Sequence, residues 1–277
     1  MDLHHPNELF DLTDQAAVVT GGAGVLCASL CRTLATAGVK VAILDINHQA
    51  AEELAGVINQ SGREAIAIGC DVCDKESINL AAQQIIIAFG RVDILINGAG
   101  GNNPHATTST GLSFFDLPET ALNWVIDLNL ISTILSAQAF GRYMAEQKKG
   151  IILNISSMNA LRPLTRIPAY SAAKAAVSNF TQWLAVHMAQ EYSPEIRVNA
   201  IAPGFFMTDQ NRYLLTDEST GKLTDRGQLI IDHTPMSRFG TPEDLAGTVL
   251  WLLSPASTFV TGIVVPVDGG FSAFSGV

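Results

Sequence analysis

The chain alternates short runs of consecutive apolar residues with longer stretches in which apolar residues recur every three or four positions. The short runs are Ala16–Thr20, Val39–Leu44, Glu64–Gly69, Val92–Ile96, Gly150–Ile155, Arg197–Ile201 and Ile263–Val267. Each has the length of a strand and is apolar nearly throughout, the pattern of a strand covered on both faces. The longer stretches, such as Gln49–Ser61 and Lys75–Phe89, place their apolar residues on one helical face. Strand and helix alternating this often predict an α/β fold, a doubly wound parallel sheet of about seven strands with helices on both faces. No linker, repeat or change of composition divides the chain, so residues 1–277 are expected to form a single domain. One stretch breaks the rhythm: residues 204–233 are polar and follow the sixth strand. That position is the carboxyl edge of the sheet, where ligands bind, so the stretch reads as a substrate loop or lid, or as a surface loop with two short helices.

Composition narrows the class. With 48% hydrophobic and 15% charged residues the chain is not disordered. A formal charge of −10 repels phosphate backbones and anionic membranes, so neither nucleic acid nor a membrane is the expected partner. Mean hydropathy is positive, but the longest C-terminal apolar stretch, Leu245–Leu253, stops at Ser254-Pro255, well short of the roughly 20 residues that span a bilayer. Met1–Asn7 has neither a basic nor an apolar leader segment, and a cytoplasmic protein is expected. Four cysteines offer Cys27/Cys31 and a C-x-x-C at Cys70/Cys73. A zinc or thioredoxin-type site needs paired ligands on turns or at a helix start, whereas these sit at packing positions and read as buried, reduced thiols. The histidines are scattered without metal-ligand spacing, so no metal is expected.

Thr20-Gly21-Gly22-Ala23-Gly24-Val25-Leu26-Cys27 ends the first strand and opens the first helix. Glycines there allow a tight turn, and the helix start then presents the N–H groups around Gly21, Gly24, Val25 and Leu26 to a pyrophosphate. About 20 residues on, Asp45 ends the second strand, where a carboxylate can bind a ribose 2′-hydroxyl and repel a 2′-phosphate. No base follows it in Ile46-Asn47-His48, so a Rossmann-type site for NAD rather than NADP is expected. Asp45 reads alternatively as a helix cap. Asp71, with Val72 after the third strand, could meet the adenine amino group or simply begin a turn.

Tyr170-Ser171-Ala172-Ala173-Lys174 places a phenol and an ammonium four residues apart, on one face of a helix. An ammonium beside a phenol stabilises the phenolate and is expected to lower the tyrosine pKa toward working pH, as acid–base chemistry at an alcohol or ketone requires. Alone, the same spacing also describes a solvated surface pair. Together with the glycine turn, Asn97-Gly98-Ala99-Gly100, Asn129, Ser156-Ser157, Pro203-Gly204 and Val267-Asp268-Gly269-Gly270, it closely resembles the short-chain dehydrogenase/reductase family. The likeness runs from about Ala16 to Gly270. It implies that Ser157, thirteen residues before Tyr170, binds the substrate oxygen, with Ser156 one residue too far. It implies that Lys174 binds the nicotinamide ribose and tunes Tyr170, and that Asn129 holds a relay water. Asn97, Gly98 and Ala99 would then lie along the adenosine side, and Pro203, Gly204 and Thr208 would shape the nicotinamide pocket. The chain departs from the family pattern in the turn, where Cys27 stands at the usual third glycine and the second falls at Val25 unless Gly24 replaces it by a small shift, and after the fourth strand, where Gly98 stands at a usual second asparagine.

The segments expected to border a substrate are polar. They carry Asn103, Asn159 and Asn211, suited to hydroxyls, and Arg162 and Arg212, suited to a carboxylate. A steroid or fatty-acyl pocket would need apolar surface instead. The cluster points to a small-molecule sugar acid, and the stretches around Asn154–Tyr170, Ala202–Arg212 and Val264–Val277 resemble the D-mannonate oxidoreductase (fructuronate reductase) branch of the family. That resemblance implies the reversible reaction of D-fructuronate and NADH to D-mannonate and NAD. Gluconate, polyol and 3-oxoacyl dehydrogenases of the same family are the alternatives, and a dinucleotide sensor without catalysis is a third class. The resemblance also implies a homotetramer, with the tail 270–277 reaching a neighbouring subunit.

Overall fold

The computed structural model describes residues 6–207, 212, 215–217 and 220–276. Its seven strands are β1 (Ala16–Thr20), β2 (Lys40–Asp45), β3 (Ala65–Gly69), β4 (Ile94–Asn97), β5 (Gly150–Ile155), β6 (Ile196–Pro203) and β7 (Val264–Val267). They form one parallel sheet in the order β3-β2-β1-β4-β5-β6-β7. The chain winds one way from β1 to β3 and the other way from β4 to β7. The β1/β4 boundary is therefore the switch point at which a doubly wound sheet opens a crevice. The register puts Thr20 beside Asn97 and Asn97 beside Asn154, so one polar row crosses the carboxyl ends of the three central strands.

Both faces are covered, as the continuous apolar runs require. The helices are α1 (Pro6–Leu9), α2 (Val25–Thr36), α3 (His48–Gln60), α4 (Lys75–Phe89), α5 (Glu119–Ile126), α6 (Ser132–Gln147), α7 (Pro168–Glu191), α8 (Asp225–Asp232) and α9 (Ala246–Leu253). On one face Leu30, Leu34, Leu54, Val249 and Leu252 pack against Ala17, Val19 and Ile43. On the other, Ile78, Ile85, Phe140, Met144 and Leu184 pack against Val18, Leu44 and Leu95. Local chemistry sets the helix ends. Asp74 caps α4 by accepting from the Glu76 N–H, Asn47 caps α3 by accepting from Ala50, and Pro168 begins α7, where its missing N–H costs nothing.

A five-residue π-turn, Asp127–Ile131, joins α5 to α6 without a break. The combined run Glu119–Gln147 is long and apolar enough, by length and composition, to cross a membrane. Here it is a layer helix instead: Val125, Ala137, Phe140 and Met144 are buried, while Gln138, Arg142 and Glu146 are exposed. Of the thiols, Cys27, Cys31 and Cys70 are buried and free, and burial pushes Cys27 up to about 12 and Cys31 well above its usual value. Cys73 corrects the expectation of four buried thiols, because the turn after β3 leaves it exposed.

Arg197 on β6 is buried with no carboxylate in contact among the described residues. Its guanidinium donates to the carbonyls of Leu252 (3.0 Å), Val260 (3.2 Å) and Ser254 (3.3 Å), closing the end of α9 and tying it to the chain that enters β7. Burial lowers its pKa, a cost the three charge-assisted bonds offset. Arg197→Met, which keeps volume but strands three carbonyls, should destabilise the fold by about 2–4 kcal/mol. Urea unfolding checks this, and a change under about 0.5 kcal/mol, the size of an ordinary surface substitution, would show the carbonyls are satisfied some other way.

Candidate active site

Three elements meet at the carboxyl ends of β4 and β5. The strand β5 delivers Ser156 and Ser157, the first turns of α7 deliver Tyr170 and Lys174, and the π-turn delivers Asn129. Ser157 is 7% exposed; its hydroxyl oxygen accepts the Asn159 N–H at 3.2 Å and it hydrogen-bonds the Tyr170 hydroxyl. Ser156 turns inward, donating to the Lys174 carbonyl (3.0 Å) and meeting the Ser178 hydroxyl at 2.7 Å. The thirteen-residue spacing thus separates a cleft serine from a packing serine.

Lys174 is 4% exposed, and its ammonium donates to the Ile155 carbonyl at 2.8 Å. It lies 5.7 Å from the centre of the Tyr170 ring. Desolvation lowers its pKa to about 8. The expected lowering of the Tyr170 pKa is corrected by the structure. Desolvation in the cleft pushes the phenol above its usual value, opposed by the Ser157 hydrogen bond. The ammonium donates to a backbone carbonyl, and burial of the phenol sets the direction of the shift.

Asn129 is fully buried and its side chain is occupied. Its amide nitrogen donates to the carbonyls of Gly101 (2.7 Å) and Val125 (2.8 Å), and its oxygen accepts the Gly101 N–H at 3.1 Å. Both amide protons are therefore spent on carbonyls, and a relay water would have to bind through an oxygen of Asn129. What the side chain does is dock the peptide of Gly101, the loop leaving β4. A Cβ at Gly100 would stand 2.7 Å from the Asn129 oxygen and 3.1 Å from the Lys174 nitrogen, so the loop closes over both groups only because residue 100 is glycine.

The dinucleotide-type turn sits beside this corner, at the switch point. Gly21 has φ +61° and a Cβ there would lie 2.8 Å from the Ala99 Cα, so the turn and the end of β4 touch through backbone. Gly24 precedes α2, and no side chain caps that helix start. The N–H groups of Val25 and Leu26 are thus left at the positive end of a twelve-residue helix. Asp45 reaches back to the turn, accepting from Ala23 (3.0 Å) with one oxygen and from Asn47 (2.9 Å) with the other. The cap of α3 is Asn47, which removes the capping alternative for Asp45. Asp71 is exposed and holds its own turn through the Cys73 N–H at 2.8 Å, beside buried Val72. The residues suit a dinucleotide: an uncapped helix start, a carboxylate at the second strand end, and an ammonium with one partner for three protons among the described residues.

Other expected residues are placed differently. The Asn97 side chain turns into the sheet, where it donates to Asn154 (2.8 Å), which donates to Thr181 (2.9 Å). It leaves only its backbone near the cleft. Asn103 and Asn159 spend their side-chain oxygens on their own loops, accepting from His105 (2.9 Å) and Leu164 (3.2 Å). Arg162 is exposed, and its Nε donates to the Ser272 carbonyl at 2.9 Å, tying down the C-terminal tail. As a carboxylate clamp it retains only its terminal nitrogens. Arg212 is exposed on a helical turn. Thr208 and Asn211 lie outside the described residues. Pro203 ends β6, and Gly204 donates to the Val267 carbonyl at 3.0 Å, with Asp268 filling the space a Cβ would need. Sequence reasoning missed Thr20, whose hydroxyl accepts from both Gly98 (3.1 Å) and Ala99 (3.2 Å). A threonine just before a glycine turn was the available signal. It also missed the Ile155 carbonyl, for which a sequence carries no signal.

Comparison with known proteins agrees with this geometry. A family model described as enoyl-(acyl carrier protein) reductase, of the short-chain dehydrogenase type, matches residues 22–272. A Bacillus subtilis protein named uncharacterized oxidoreductase UxuB is 48% identical, covering 96% of this chain and 98% of its own. A solved Haemophilus influenzae structure, provisionally named a D-mannonate oxidoreductase and holding NAD, is 47% identical with a TM-score of 0.92, covering 99% of this chain and 100% of its own. Two Escherichia coli relatives differ in substrate. 5-Keto-D-gluconate 5-reductase is 35% identical (95% of this chain, 98% of its own) and 7alpha-hydroxysteroid dehydrogenase 33% (94% of each). The Rossmann-type sheet, the phenol and ammonium on one helix turn, and these matches along nearly the whole chain have one reading: this chain belongs to the short-chain dehydrogenase/reductase family of oxidoreductases.

Proposed function

We propose that the chain is an NAD(H)-dependent reductase of a keto sugar acid, interconverting D-fructuronate plus NADH and D-mannonate plus NAD. The observation that carries this reading is the buried corner where the Ser157 hydroxyl meets the Tyr170 phenol one helical turn from the Lys174 ammonium. When bound, the nicotinamide supplies or accepts a hydride at ring C4. The protein's part is to hold the substrate oxygen and to move one proton. Ser157 and Tyr170 both hydrogen-bond the ketone oxygen, and Tyr170 gives it a proton as the carbonyl carbon gains the hydride, so that C=O becomes CH–OH. In the reverse direction Tyr170 accepts that proton. With its pKa raised, Tyr170 is a protonated donor at neutral pH, suited to reduction.

Lys174 directs its two unpartnered protons to the nicotinamide ribose, and Asn129 acts by holding Gly101 in place. The N–H groups of Val25 and Leu26 face the pyrophosphate. Asp45 receives the ribose 2′-hydroxyl and disfavours a 2′-phosphate, which selects NAD. Asp71 and Val72 border the adenine, the backbone of Asn97, Gly98 and Ala99 the adenosine ribose, and Pro203, Gly204 and Thr208 the nicotinamide. The amide N–H groups of Asn103, Asn159 and Asn211 and the guanidinium groups of Arg162 and Arg212 form the polar lining for hydroxyls and the carboxylate. Residues 204–233 close over the substrate. The name of the Haemophilus influenzae relative and that of the 5-keto-D-gluconate reductase both support a sugar-acid substrate over a steroid. Along the outer face of α7, Phe180, Trp183 and His187 stack in series with Tyr192 edge-on. Trp183 and Tyr192 are exposed, which favours a homotetramer built on this face.

Incubation of purified protein with D-fructuronate, 5-ketogluconate, tagaturonate or an acetoacetyl thioester, with NADH or NADPH, should show NADH oxidation fastest with fructuronate. Absence of NADH oxidation with every uronate would refute the sugar-acid reading. Tyr170→Phe should lower kcat by about 10²–10⁴-fold while NADH fluorescence titration shows binding nearly intact; equal loss of both would make the tyrosine structural. Lys174, at about 8, loses its proton before Tyr170 does as pH rises. The rate of ketone reduction should therefore be level below about pH 8 and fall above it. A profile flat to pH 10 contradicts an ammonium role.

A further inference from the structure

Two of the positions where the chain departs from its family's pattern, Cys27 and Gly98, lie against each other. Cys27 lies in the first turn of α2, two residues after Val25, and Gly98 is the first residue beyond β4. A Cβ built on Gly98 would stand 2.2 Å from the Cys27 sulfur and 2.8 Å from the Thr20 carbonyl oxygen, but 3.7 Å from the Cys27 Cβ. The first two separations are both overlaps, one with the end of a side chain and one with backbone that cannot turn aside, and the last is ordinary van der Waals contact. The sulfur therefore occupies the volume that a side chain at position 98 would fill. It is buried at 5% exposure, in the helix turn that follows Gly24.

We infer that Cys27 and Gly98 are a size-matched pair that sets the separation between the start of α2 and the end of β4, and so positions the pyrophosphate-binding N–H groups. This rests on the dinucleotide reading of the turn. The contact has no slack on either side. The Thr20 hydroxyl holds the Gly98 and Ala99 N–H groups, and Gly21 lies against the Ala99 backbone. Anything that pushes Cys27 away from Gly98 therefore moves Val25 and Leu26 relative to β4. Neither residue touches the reacting atoms; both are positioning residues, and the Gly98 change alone is worse than the two together.

The test is a double-mutant cycle on the full-length protein, read by the NADH dissociation constant and by Tm. Gly98→Ala should raise the NADH Kd at least tenfold, because its methyl meets the sulfur. Cys27→Ala, which leaves a small void, should raise it two- to threefold. In the Cys27→Ala/Gly98→Ala protein the new methyl takes the volume the sulfur vacated but still meets the Thr20 carbonyl oxygen, so the Kd should fall at least threefold from that of Gly98→Ala without reaching the wild-type value, with Tm recovering in parallel. If Gly98→Ala fails to fold, recovery of folded, NADH-binding protein in the double variant supports the pairing. A double variant that binds as weakly as the product of the single effects, or that also fails to fold, overturns it and leaves the Thr20 carbonyl as the reason for glycine. Recovery of Tm without recovery of Kd assigns the pair to packing alone and overturns its positioning role. A wild-type protein that binds no NADH refutes the dinucleotide reading instead, and is recognised by Tm coupling that persists without any binding.

Discussion

The Lys174 ammonium ends on the carbonyl of Ile155, and much of the catalytic corner depends on that contact. Ile155 is the last residue of β5, so its carbonyl has run out of sheet partners where the chain turns toward Ser156 and Ser157. A buried cation without a carboxylate is costly, as the lowered pKa records. The cost is accepted at a place where it pins α7 to the strand that carries the serine. Ser156 adds a second tie by donating to the Lys174 carbonyl. Tyr170, one turn earlier on α7, is thereby placed against Ser157, with its ring packed on the Ala106, Ala121, Val125 and Ala169 cluster.

The same economy of space governs the cofactor side. Polar side chains are used to hold backbone: Asn129 on the Gly101 peptide, Thr20 on Gly98 and Ala99, Asp45 on Ala23. Loops that would otherwise be mobile are fixed by side chains from strand ends and from the π-turn. The groups left with spare hydrogen-bonding capacity, the start of α2 and the Lys174 ammonium, are those a bound dinucleotide would satisfy. A π-turn at this point is one way a helix can aim a residue sideways, and here it turns Asn129 toward the loop after β4.

Much of this was legible in the sequence for physical reasons. A strand buried on both faces must be apolar throughout, so β1 and β5 were bounded to the residue and the others to within two. A phenol and an ammonium that share a helix face must be three or four residues apart, and Tyr170 and Lys174 are. What escaped was chemistry carried by backbone and by desolvation. Spacing cannot show that Lys174 points to a carbonyl, or that burial sets the direction of the shift at Tyr170. Nor can composition show that Asn103 and Asn159 spend their oxygens on their own loops, since an amide reads the same whether it faces substrate or its own chain. Asn97 was misjudged for a related reason: the last residue of a strand faces either layer, and here it joined Asn154 and Thr181 inside.

Asp45 carries a consequence for how this site can change over generations. Its carboxylate braces the glycine turn through the Ala23 N–H and, in the proposed role, would also receive a ribose hydroxyl. On that proposal, coenzyme choice and the shape of the phosphate-binding turn would be a single inherited trait at this position. A lineage moving toward the phosphorylated coenzyme would have to replace the brace before it could profit from losing the charge. Single substitutions at this position are poor steps along that route, and a change of coenzyme is expected to begin in the turn itself.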